Sequence, residues 1–413
     1  MIRISLRPSH QTILRTAFVL LVVATTISFA STTFLSRALI EPARQLSALG
    51  TVGLVLMVLV TQARISSSFL FTAMIVFIML IYGMMLAMLN GGFVHVLDLL
   101  LLNIGILFLG FYSFVNTKGA LLNKVVARAL VIYVCLLLGL TIALGGFTLS
   151  FPPRFVYEYA TSIQTIYYEQ TYSQGISKFY GLGAISTAML ATWVQTKGWR
   201  MMLFFMCMFF LLLSLMGGGR GDSIAAVVVT GLHLALHARR AFWLFGSVIF
   251  VVWLFLSAEI ALEEFAFYYR FTQLLDGGLG RRDVLLVQSA DLLAEQPLCL
   301  ITGCGFGYFQ AYHRVESGLH PHNLIVEMVI VYGIPLTMAI LGTALRGIWL
   351  SLSAYRKNQD GIILIFLFFL LIGLKSGTLL NSWMFLICLF YFIYVAINGG
   401  VRELQLKTVN QIS

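Results

Sequence analysis

Three short stretches carry residue types that could do chemistry. Residues 320–327 read His-Pro-His-Asn-Leu-Ile-Val-Glu, so His322, Asn323 and Glu327 fall where a polar segment gives way to an apolar run starting at Leu324. An unperturbed imidazole titrates near pH ~6.5, so a neutral His322 can accept a proton from a hydroxyl. Asn323 could orient a sugar or cap a helix. Residues 217–222 read Gly-Gly-Gly-Arg-Gly-Asp, which sets Arg220 among glycines that let a ligand or a backbone come close. Residues 280–283 read Gly-Arg-Arg-Asp and put Arg281 and Arg282 at the start of an amphipathic segment. Arginine brings a permanent charge and a planar fork of donors suited to phosphate. Each stretch also has a plainer reading: caps at the headgroup level, a helix-end arginine reaching for the interface, and a solvated basic turn.

Taken together, the arginines and the histidine suit transfer of a group away from a diphosphate. The arginines would neutralise the leaving diphosphate, and His322 would deprotonate an acceptor hydroxyl. Arg270, Asn323 and His320 stand as supporting residues. Glu327 is four positions past Asn323 and shares its helix face, while His322 points elsewhere, so no His322–Glu327 dyad is expected. No acidic cluster suited to a divalent metal accompanies these residues, and no metal or other cofactor is expected. The glycine-rich Gly303–Gly307 follows no strand and reads as a turn rather than a nucleotide loop. His95 and Asp98 share a helix face as a satisfied pair or a proton relay. The five cysteines show no metal-ligand spacing, and Cys299 and Cys304 are close enough to approach each other.

The elements that must position these residues are membrane helices. The chain has 413 residues, 60% hydrophobic and 10% charged, against about 25% charged in soluble domains. The formal net charge of +10 follows from basic cytoplasmic loops, so nucleic acid is not an expected partner. Apolar runs long enough to cross a bilayer lie near 17–36, 47–63, 66–89, 93–115, 126–149, 179–196, 201–217, 222–238, 241–260, 322–345, 361–378 and 381–398. The expected architecture is a single all-α polytopic membrane domain of about 12 spans over residues 1–413. With the N-terminus cytoplasmic, 16 of the 26 basic residues fall on the inside, and 12 of the 16 acids fall outside. That bias puts both termini in the cytoplasm. Two long outer loops follow, 150–178, rich in tyrosine, and 261–321, the largest polar insertion. Within the second, Asp283–Glu295 reads as an amphipathic helix stopped by Pro297.

These motifs resemble the O-antigen ligase and O-antigen polymerase superfamily of bacterial membrane proteins. Gly219-Arg220-Gly221 at the end of a span is similar to that family's small-Arg-Gly step. Arg282, then Pro297 fifteen residues on, then the glycine turn ending in Phe309, resembles its Gly-Arg…Pro-Leu…Gly-x-Gly…Phe pattern. His322-Asn323, nine residues, then Gly333 is similar to its His-Asn-x9-Gly signature. Arg281 stands where the family has glycine, residues 298–302 lengthen the step to the glycine turn, and His320 adds a second candidate base.

The resemblance implies a membrane glycosyltransferase fold in the bacterial inner membrane with a periplasmic active site. It also implies a metal- and nucleotide-independent transfer, with Arg220, Arg282 or Arg281 on the diphosphate and His322 as catalytic base. The expected donor is an undecaprenyl-diphosphate-linked glycan. The expected acceptor is a second glycan for a polymerase of O-antigen, capsule or exopolysaccharide, or lipid A-core for a ligase. Membrane lipid, a flippase and a chain-length regulator are the other expected partners. Polymerase is the leading reading, ligase the alternative. A transporter of lipid-linked sugar ranks behind both, because the spans carry few charges, among them His95, Asp98, Glu327 and Lys375.

Overall fold

The computed structural model describes residues 67–93, 174–216, 219–257, 282–315, 319–357, 361–376, 378–380 and 382–412, with scattered positions between 107 and 155. The expected spans at 17–36 and 47–63 lie outside the described residues, as does nearly all of those at 93–115 and 126–149, together with His95 and Asp98. Among the described residues the chain is helical except for one ladder of two-residue strands, β1 (Phe147–Thr148) and β2 (Arg154–Phe155), paired antiparallel. Helix is the expected outcome for such apolar segments, because a lone segment in hydrocarbon must satisfy its own backbone N–H and C=O groups.

The long helices are α1 (Ser67–Leu89), α2 (Gln174–Trp193), α3 (Lys197–Met216), α4 (Arg220–His237) and α5 (Arg239–Ser257). The polar insertion then supplies α6 (Arg282–Glu295), α7 (Pro297–Ile301) and α8 (Tyr308–His313). The chain closes with α9 (Leu324–Arg356), α10 (Ile362–Ser376) and α11 (Trp383–Ile412). Among the described residues α1, α3 and α9 are long and apolar enough to cross a membrane, and α4, α10 and α11 carry shorter apolar segments. This is a helical membrane protein.

Burial separates inner helices from outer ones. Most described side chains of α10 and every one from Met384 to Tyr394 in α11 are buried, with Phe366 stacked on Phe385 at 5.3 Å and edge-on to Phe392. In α1 only Phe69, Thr72, Val76, Leu80, Gly83 and Ala87 are buried, one stripe along the helix. Its other face exposes Leu70, Phe71, Met74, Phe77 and Ile78, a surface that suits lipid. The α2–α3–α4 group packs onto α10, and α9 packs onto α11.

Three sequence boundaries are corrected. First, α2 starts at Gln174, inside the expected 150–178 loop. Second, Pro297 does not merely stop α6: it opens α7 at the first turn, where its missing N–H costs nothing. Third, α9 runs 33 residues, well past the expected end at 345. At a rise of 1.5 Å per residue it is ~50 Å long, more than the ~30 Å of hydrocarbon.

α9 is broken at Gly333 (φ 74°, ψ 167°), two residues before Pro335. Proline lacks the N–H that would bond the carbonyl four residues back, so the break frees carbonyls around Val331. The insertion fills them. Cys304 N–H donates to the Ile330 carbonyl (2.7 Å) and Gly305 N–H to that of Val331 (3.2 Å). The Thr337 hydroxyl takes the Met328 carbonyl at 2.9 Å. The expected turn at Gly303–Gly307 is present and wedges between α1 and α9. Gly303, Gly305 and Gly307 all have positive φ, and a Cβ on Gly305 would fall 2.2 Å from the Ala87 nitrogen. Phe306 N–H reaches the Gly83 carbonyl (3.2 Å), and the Asn90 amide donates to the Cys304 carbonyl (3.0 Å). A Cys299–Cys304 disulfide closes the base of the turn.

Candidate functional site

His322 and His320 form a pair just before α9, with ring centroids 4.1 Å apart. The His322 backbone has φ 55°, a left-handed conformation that is uncommon for a residue with a side chain. Asn323 caps α9: its Oδ1 accepts from Ile325 N–H (3.0 Å) and Val326 N–H (3.2 Å). The structure shows the capping role expected of Asn323. The cap fixes where the chain enters the helix, and so where the residue before it stands.

Glu327 lies one turn further along α9. Its Oε2 accepts a hydrogen bond from Leu379 N–H at 2.8 Å, in the turn between α10 and α11. Four residues before Leu379, in the last turn of α10, Lys375 Nζ stands 3.7 Å from Asp222 Oδ1. Asp222 belongs to the first turn of α4, two residues after Arg220. A continuous path therefore runs from the α4 start at Arg220, through Asp222 and Lys375, along the α10–α11 turn to Leu379, and through Glu327 to the His322–Asn323 junction. It brings two of the three sequence stretches to one end of the helix bundle.

The α4 start is itself built from serines. Gly219 N–H donates to the Ser177 hydroxyl (2.8 Å), the Ser214 hydroxyl donates to the Ser177 carbonyl (2.6 Å), and the Ser223 hydroxyl donates to the Ser214 carbonyl (2.8 Å). All three serines are wholly buried, so the net ties α2, α3 and α4 together at the residue before Arg220. Sequence reasoning missed it. Its only signal was serine recurring in otherwise apolar runs, each close to a helix end.

Arg282 is the first residue of α6, with Asp283 in the same turn. The Asp283 carboxylate accepts from its neighbour Val284 N–H at 2.9 Å. The side chains of Arg220 and Arg282 lie outside the described residues, as do Arg281 and Arg270 altogether. α6 packs through Leu285 and Leu292 onto Phe309 and Ile330, so the third stretch is anchored over the first turns of α9. His313 bonds the Gln288 carbonyl at 3.1 Å and packs on Phe309, which makes it a tie between α8 and α6. The Tyr312 hydroxyl donates to Glu295. That bond and partial desolvation hold the phenol above its ordinary range. Among the described residues, no three His, Cys, Asp or Glu side chains converge as a metal site would require.

The far end of the bundle holds a second polar group that sequence reasoning passed over. His233 bonds Thr192 (3.1 Å) and the Tyr355 hydroxyl (3.3 Å), and His237 bonds the Tyr355 carbonyl at 2.8 Å. It joins α2, α4 and α9.

No family model matches the chain, and no curated protein matches it. The functional reading rests on the geometry and on the motifs.

Proposed function

We propose that this protein polymerises undecaprenyl-diphosphate-linked oligosaccharide repeat units on the periplasmic face of the bacterial inner membrane. The observation that carries the proposal is the path from Arg220 to His322: a cation-bearing helix start and an imidazole are held at one end of the bundle. In the proposed reaction His322 takes the proton of an acceptor sugar hydroxyl. The hydroxyl oxygen bonds to the anomeric carbon of the donor. The bond from that carbon to the diphosphate oxygen breaks, and Arg220 with Arg282 or Arg281 neutralises the charge on the departing undecaprenyl diphosphate. Arg270 and His320 support the site. The proposal takes about 12 spans with both termini cytoplasmic, which would put this end of the bundle outside; the basic bias of the other loops supports that orientation.

The test uses the purified full-length protein with an undecaprenyl-diphosphate-linked repeat unit, in EDTA. A ladder of lengthened glycans on the lipid carrier is expected. A product formed only when lipid A-core is supplied would identify a ligase instead. No turnover with either acceptor would overturn the proposal.

A further inference from the structure

We propose that Lys375 is a further residue of the donor site, contributing a cation to the diphosphate and held in place by Asp222. The inference rests on the functional reading above and deepens it. The Asp222 side chain is wholly buried, at 0% exposure, whereas that of Lys375 is 19% exposed. The pair therefore encloses its negative end, while the lysine side chain keeps partial access to the surface. The lysine stem lies directly across Gly221, next to Arg220: a Cβ on Gly221 would fall 2.0 Å from Lys375 Cδ. A side chain at position 221 would push the lysine aside. Lys375 also stands midway along the path described above. Asp222 follows Arg220 on one side, and on the other Leu379 leads to Glu327 and His322. On this proposal a diphosphate held by Arg220, with its sugar directed towards His322, would lie beside the ammonium. Burying a carboxylate is costly unless it is paired. Asp222 is thus a positioning residue, and the cation it fixes is the ligand-binding group.

A purely structural salt bridge predicts something different, and a double variant separates the two. Binding of undecaprenyl diphosphate, undecaprenyl phosphate and undecaprenol to the purified protein is measured alongside thermal stability. Wild type is expected to prefer the diphosphate. Lys375→Met is expected to weaken diphosphate binding about tenfold with little change for undecaprenol, as the loss of one charge-assisted contact should. Lys375→Arg should keep most of the preference. In Asp222→Asn/Lys375→Met no buried charge is left unpaired, so stability should return towards wild type while diphosphate binding stays weak. Recovery of binding together with stability in the double variant would overturn the inference, as would wild-type affinity in Lys375→Met. If wild type itself shows no preference for the diphosphate, the functional reading fails and this inference fails with it.

Discussion

The Glu327 carboxylate and the Leu379 backbone N–H meet at 2.8 Å across 52 residues of sequence. The contact pins the α10–α11 turn to the first turn of α9. It sets Lys375 and the His322 junction in a fixed relation, although neither residue takes part in the bond. Removing one partner of a buried hydrogen bond leaves the other unsatisfied, at a cost of about 1–3 kcal/mol. Glu327→Ala is therefore expected to speed amide exchange at residues 378–382 and to lower glycan transfer about tenfold or more. Glu327→Gln keeps an accepting oxygen and should fall between. Unchanged exchange at Leu379 in Glu327→Ala would show that the turn is held by something else.

His322→Ala and His322→Gln are expected to stop transfer, with a loss of about 10²–10⁴-fold, while leaving undecaprenyl diphosphate binding intact. His313→Ala should be tolerated in catalysis, since its ring serves only to join α8 to α6. His320→Ala should also keep activity, although its ring centroid is 4.1 Å from that of His322. Single-turnover assays on the purified variants check this. Full activity in His322→Gln removes that residue as the base.

Arg220→Ala and Arg282→Ala should each abolish transfer at unchanged protein level. Lysine should rescue poorly, because a point charge cannot reproduce a bidentate fork. Arg281→Ala should be milder. Near-normal glycan profiles in both alanine variants would be fatal to the diphosphate assignment.

Position 317 falls in the expected outer loop and position 353 near the opposite end of α9. In a background lacking the free Cys135, Cys207 and Cys388, an impermeant thiol reagent added to intact cells with a permeable outer membrane should label Ser317→Cys and spare Ser353→Cys. Labelling of the second but not the first would invert the orientation.

Two glycines should respond to alanine with opposite signs. Gly305→Ala meets the α1 backbone at 2.2 Å with φ at 89°, so nothing flexible can yield. A loss of at least ~2 kcal/mol in thermal or denaturant unfolding is expected. Gly342 lies inside α9 with open space where a Cβ would go, so Gly342→Ala should be neutral or stabilise by about 0.5–1 kcal/mol.

What the sequence disclosed follows the range of the forces involved. α1 was read at 66–89 and found at Ser67–Leu89, because a lipid-facing helix needs only a local run of apolar residues. The helix after Arg282 was equally local. The reading failed where local rules compete. Pro297 ends one helix and opens the next, and a hydropathy run that stops near Arg346 says nothing of a helix that continues by packing Gly347, Ser351 and Tyr355 inward. The candidate chemistry was visible in His322 and Arg220 themselves. The parts that join them were not: Glu327 to Leu379, Lys375 to Asp222 and the serine net are contacts between different elements of the fold, made by isolated polar side chains in apolar surroundings.

The break in α9 carries a consequence for how the chain is made. The Ile330 and Val331 carbonyls receive their donors from Cys304 and Gly305, which precede them in the chain. Ribosome order thus delivers the donors before the acceptors. In the proposed orientation, the loop that closes the broken segment would already be on the far side by the time that segment leaves the translocon, and α1, which grips the loop through Gly83, would already be in the bilayer. The helix can therefore be released sideways into lipid without exposing bare carbonyls to hydrocarbon, provided the loop has crossed first. Slowing export of 282–322 should for that reason trap α9 in a misinserted, protease-sensitive form even though its own apolar run is intact.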